Sequence, residues 1–160
     1  MNNKTLLRLI AVLFWIPAIS ACGFTPVYGP NSQIEQQFSG ITVQEPANRN
    51  EYLFVQNLET HIGRASAPDK MLQYTLYVYE QSMLQGYRAH LVGKVDYKVI
   101  SMSDQTVLYG GSAENFTAYN IPAETLESLK NDAYSRLMQI LADLVYRDLI
   151  VKNAAYADAS

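Results

Sequence analysis

Arg88, Lys94 and Lys98 place three cations close together in a stretch that otherwise alternates apolar and polar residues. Period-2 alternation puts Lys94 and Lys98 on one face of a strand, and Arg88 precedes them at the tip of a hairpin. Such a set could grip the phosphates of an anionic ligand, with the Arg88 guanidinium suited to bidentate contact. The same residues also fit ordinary solvated strand positions, with Asp96 between the lysines as a neutralising neighbour. Tyr77 and Tyr79 share the polar face of the preceding strand. They suit a partner interface, because tyrosine joins a large contact area to a polar tip, and they equally suit plain β-propensity. Catalysis finds little material. The two histidines, His61 and His90, have no second His or Cys at metal-ligand spacing. Ser112 in "YGGSAEN" lacks the G-x-S-x-G spacing of a nucleophile elbow. Glu124 and Glu127 fall in the first turn of a helix, where a carboxylate simply favours the positive end of the dipole. No enzymatic activity, cofactor or metal is expected, and no dinucleotide or phosphate loop is present.

The single cysteine carries a different chemistry. Cys22 cannot close an intramolecular disulfide. It comes directly after "ISA", with an apolar β-branched residue three positions before it and small residues between. Upstream, Lys4 and Arg8 make a positive n-region, and Leu9 to Ile19 is an apolar run of the ~7–15 residues a secretory signal carries. That run is too short to span a bilayer, which needs about 20 apolar residues, and Pro17 interrupts it. The pattern resembles the bacterial lipobox, in which the signal (1–21) is cleaved and the thiol is thioether-linked to diacylglycerol. Two or more acyl chains hold a protein stably on a membrane where one holds it marginally. Gly23, where a retention signal would have Asp, is the pattern of sorting to the outer membrane.

The chain beyond the signal amounts to one domain. The whole chain has a formal net charge of −3, and loss of Lys4 and Arg8 makes the remainder more acidic. That argues against nucleic acid, whose binding rests on basic surface. Twelve tyrosines are the compositional oddity.

Residues 22–40 carry Gly and Pro without sustained period and read as a lipidated, extended tether. The folded domain is expected over 41–152, with 153–160 as a flexible tail. "ITVQEP" is a short strand stopped at Pro46. Val55, Leu58, Ile62 and Ala65 then repeat at helical spacing, with Asn50 as a possible N-cap. Leu72, Tyr74, Leu76 and Val78 make one face of the next strand. Leu91, Val95, Tyr97 and Val99 make the inner face of the third, and "LQGYRAH" is the hairpin tip between them. Val107, Tyr109 and Ala113 line a fourth strand, where Gly110-Gly111 marks a bulge or a close backbone approach. Leu126, Leu129, Ala133, Leu137, Ile140, Leu144 and Val145 give a long closing helix an apolar stripe. The order β-α-β-β-β-α predicts an α+β two-layer sandwich, a four-stranded, mostly antiparallel sheet with two helices on one face.

"CGFTPVYG" (22–29) resembles the post-cleavage motif Cys-Gly-Phe-x-Pro-x-Tyr-Gly of the LPS-assembly lipoprotein family (LptE), especially its alphaproteobacterial branch. The order of elements over the mature chain is similar to that family's too. The resemblance implies a lipid-anchored, non-enzymatic protein at the periplasmic face of the outer membrane. Family members plug the LPS-translocon β-barrel (LptD-like), assist its assembly and the insertion of lipopolysaccharide, and bind lipopolysaccharide directly. Another possibility is an accessory lipoprotein module of a different transporter or envelope complex, without lipopolysaccharide binding.

Overall fold

The computed structural model describes residues 38–83, 88–121 and 126–159. Cys22, the signal segment and nearly all of the expected tether lie outside the described residues. Phe38 is fully buried, and the Gly40 carbonyl accepts from the Asp69 and Lys70 amides at 3.0 and 3.1 Å. The packed domain therefore includes Phe38 to Gly40, which sequence pattern alone assigns to the tether.

The elements run β1 (Ile41–Val43), α1 (Arg49–Ile62), β2 (Lys70–Met83), β3 (Arg88–Ser101), β4 (Val107–Asn120) and α2 (Leu126–Ala159). The sheet order is β1-β2-β3-β4. β1 lies parallel to β2, α1 making the crossover, while β2-β3-β4 form an antiparallel meander. This is the expected α+β fold.

The cap of α1 is Asn48, not Asn50. Asn48 Oδ1 accepts from the Glu51 amide at 3.1 Å, and Glu51 Oε2 accepts from the Ala47 amide at 2.8 Å. The cap satisfies an N–H that the first helical turn leaves without a partner, and Glu51 reaches back to the residue before the cap. Gly63 ends the helix at φ +74°, its N–H donating to the Glu59 carbonyl, a backbone conformation glycine adopts at no steric cost. Phe54, Val55, Leu58 and Ile62 form the buried side of α1, and the Phe54 ring packs 5.2 Å from Tyr74 of β2.

The meander alternates as the sequence predicts. Leu72, Tyr74, Leu91, Val95, Tyr97 and Val99 face the helices and are buried. The register shift lies between Val99 and Ile100, opposite Leu108 of β4, so the bulge precedes Gly110-Gly111. Gly111 is instead a close approach: a Cβ there would run into Asp148 and the Tyr97 hydroxyl. The space it leaves holds the hydrogen bond Tyr97 Oη to Asp148 Oδ2, 2.6 Å. Burial and that carboxylate hold the Tyr97 hydroxyl well above the usual phenol range.

α2 runs to Ala159, well past the expected end at Lys152. Its last turns hold no Gly or Pro and are rich in alanine, the strongest helix former. They also have tertiary partners. The Tyr156 ring packs 5.7 Å from Tyr109, and Tyr109 Oη donates to Asn153 Oδ1 at 3.0 Å. Burial, then the neighbouring Tyr156, leaves the Tyr109 hydroxyl pushed up to about 12. The buried arc is Ala133, Leu137, Met138, Leu141, Ala142, Val145, Tyr146 and Leu149. Ile140 and Leu144 are only half-buried, and Leu129 is exposed. The arc turns away from the predicted stripe because α2 packs against both the sheet and α1. His61 shows the second contact: its Nε2 lies 2.7 Å from Asp143 Oδ1, and its ring stacks on Tyr146 at 4.8 Å.

Candidate binding face

Both helices cover the same face of the sheet, and among the described residues nothing covers the other. Its side chains stand in rows set by the strand register: Gln73, Lys98 and Gly110; Thr75, Asp96 and Ser112; Tyr77, Lys94 and Glu114; Tyr79, Val92 and Phe116; Gln81, His90 and Ala118. Three aromatics on this face are more than half exposed: Tyr77 at 56%, Tyr79 at 55% and Phe116 at 56%. Tyr79, Val92 and Phe116 form one apolar band across three strands, and His90 stacks on Phe116 with ring centroids 5.0 Å apart. Among the described residues the open face therefore joins an aromatic band to isolated charges.

The three predicted cations share this face but do not converge. At about 3.3–3.4 Å per residue, Lys94 and Lys98 stand roughly 13 Å apart along β3, and Arg88 lies about 20 Å beyond Lys94. Lys94 Nζ is 3.0 Å from Asp96 Oδ1. Asp96 is held below the usual carboxylate range by hydrogen bonding to Ser112 first and to Lys94 second. Arg88 is the exposed first residue of β3. Lys98 is exposed beside a shallow depression of about 420 Å³ lined also by Gln44, Gln73, Thr75 and Asp96. Neither Arg88 nor Lys98 makes an ion pair with a described residue. The arrangement can hold separated anionic groups, with Lys98 and Arg88 at its two ends and Lys94 already engaged.

His90, expected at the hairpin tip, instead sits within β3. His61 serves the helix pair, and Ser112 faces the open side with Asp96 as its partner. Among the described residues no three His, Cys, Asp or Glu side chains gather to hold a metal, and no helix is long and apolar enough to cross a membrane. Phe116 and Val92 are members of this face that sequence pattern did not single out. Phe116 carries a signal that could have found it, because it is a large apolar side chain out of phase with Ala113.

No family model matches the sequence, and no curated protein matches it. Solved structures do match. A candidate lipoprotein from Caulobacter crescentus CB15 superposes with a TM-score of 0.65 at 18% identity, covering 76% of this chain and 96% of that one. A minor lipoprotein from Acinetobacter baumannii gives 0.57 at 12% identity, with 70% and 92% covered. The rare lipoprotein B of Shewanella oneidensis gives 0.53 at 11% identity, with 72% and 96% covered. The chain has the fold of these bacterial lipoproteins. Each of them is spanned almost end to end, so the shared fold is their whole domain.

Proposed function

We propose that this chain is an outer-membrane lipoprotein, anchored through Cys22, that partners the LPS-translocon β-barrel and binds lipopolysaccharide on its open sheet face. The observation that carries the reading is the asymmetry of the sandwich. Two helices cover one side of 14-residue strands, and the other side presents aromatics, amides, hydroxyls and separated cations. A polar, tyrosine-rich face suits the polar interior of a large membrane barrel. An apolar band lying between Arg88 and Lys98 suits an amphiphile with acyl chains and phosphates. The fold of the solved lipoproteins and the "ISAC" sequence support the anchor. Purifying the lipidated protein from outer membranes tests the reading: one very large β-barrel should co-purify. Cys22→Ala should abolish fatty-acid incorporation and release much of the protein from the membrane. Acylation of the Cys22→Ala protein would contradict the anchor.

One observation favours a second reading, an accessory envelope lipoprotein without lipopolysaccharide binding. The chain is acidic overall, and Asp96 already neutralises Lys94. A different membrane partner in place of the very large β-barrel, with no lipopolysaccharide binding, would decide for it.

A further inference from the structure

Among the described residues, β2 has an open side. β1 pairs only with Lys70, Met71 and Leu72. The Gln44 amide then donates to the Leu72 carbonyl at 2.9 Å, and Pro46 carries the chain away. Beyond Gln73, no described strand lies along that side of β2 as far as Met83. Natural edge strands are guarded by charges, prolines, bulges or short length, because an unpaired row of N–H and C=O groups recruits other strands. The run "QYTLYVY" (73–79) has no charge, proline or glycine, and its register with β3 is unbroken. The opposite edge, β4, carries a bulge at Leu108, two glycines and Glu114.

Exposure along β2 shows what kind of cover is missing. On the helix side, Leu76 and Val78 are only half-buried, whereas Val95 and Gly93 opposite them on β3 are buried. On the open side Tyr77 and Tyr79 are exposed. A helix or ligand laid on one face would cover one of these rows. An added strand covers both and pairs the backbone groups as well.

We propose that β2 pairs antiparallel with β2 of a second copy, about a two-fold axis near Val78, joining two four-stranded sheets into one of eight. A two-fold contact requires a self-complementary surface, and this run provides one. With Val78 on the axis, Tyr77 faces the partner's Tyr79 and Thr75 faces the partner's Gln81, all on the open side. Glu80, the one charge in the paired segment, faces the partner's Leu76 and keeps its own ion pair with Lys130, 2.8 Å away. No like charges oppose each other. The two copies of β1 end outside the paired segment and flank it.

The test is sedimentation of the lipidated full-length protein in density-matched detergent over a range of concentrations. A concentration-dependent dimer is expected. Lysines on both exposed edge positions, Thr75→Lys with Tyr77→Lys, should weaken it about tenfold or more, since the two copies of position 77, diagonal neighbours across the axis, then carry like charges and the contact of Tyr77 with the partner's Tyr79 is lost. Tyr77→Lys alone should weaken it less, and it keeps the test valid if the double variant folds poorly by circular dichroism. Phe116→Lys, on the open face but two strands from the edge, should leave the dimer unchanged. Three outcomes would overturn the proposal: a monomer at every concentration, as when the chain's own residues cover the edge; a dimer indifferent to the edge lysines; or a dimer lost equally with Phe116→Lys.

Discussion

Individual side chains on the open face are not equivalent, although in the sequence Lys94 and Lys98 look alike. Lys94 is paired with Asp96, so reversing it removes a charge that is already balanced. Lys98 and Arg88 have no such partner among the described residues. Lys98→Glu and Arg88→Glu should each weaken lipopolysaccharide binding more than Lys94→Glu does, since a charge-assisted hydrogen bond contributes on the order of 1.5–3 kcal/mol. Affinity of the three single variants, with circular dichroism for folding, measures this; equal loss from all three would contradict it. On the buried side, Tyr97→Phe removes the donor to Asp148 and leaves a half-buried carboxylate short of a partner. The expected loss is about 1–3 kcal/mol, measured by urea unfolding. Alternation alone assigned both Tyr97 and Lys98 to their correct faces. It could not show that Lys94 was engaged, because that depends on side-chain geometry.

Elements are joined by a few polar contacts at the margins of the apolar core. Glu80 of β2 and Lys130 of α2 form one such tie, with Tyr119 as a further partner of Glu80. Hydrogen bonding to Lys130 holds the Glu80 carboxyl below its ordinary value, and hydrogen bonding to Glu80 holds the Lys130 ammonium above its own. A lowered acid pKa stabilises fully above the ordinary carboxylate value, and the gain is lost as pH falls through the folded-state value. A raised lysine pKa stabilises below its ordinary value, and that gain is lost as pH rises past the folded-state value. The pair is therefore intact around neutrality and lost first on acidification. Being partly solvated, it contributes no more than about 1 kcal/mol. The urea midpoint of wild type should exceed that of Glu80→Gln near pH 6, and the gap should close toward about pH 3; a constant gap would contradict the tie. The elements themselves were largely legible in the sequence. Strict alternation fixed three strands and their faces, and helical spacing found both helices. Three details were less accessible. The Asn48 cap depends on Glu51 reaching back, the full length of α2 depends on Tyr109 meeting its last turns, and the rotation of its buried arc depends on α1.

At the scale of the whole molecule, the two-layer sandwich leaves one broad sheet face and one strand edge without cover from the described residues. The edge was invisible in the sequence, because how far β1 extends along β2 is a long-range property that no local pattern encodes. The face was visible in part: Tyr77, Tyr79 and the lysines stood on it, while the register that sets Phe116 beside Val92 and Tyr79 emerged only with the fold. The central claim is that this face meets a large membrane barrel. The most direct measurement is photo-crosslinking in intact cells from a photoreactive residue substituted at Phe116, in the middle of the aromatic band. The account predicts one dominant adduct, to a single very large outer-membrane β-barrel. Efficient incorporation with no barrel adduct from Phe116 would contradict it.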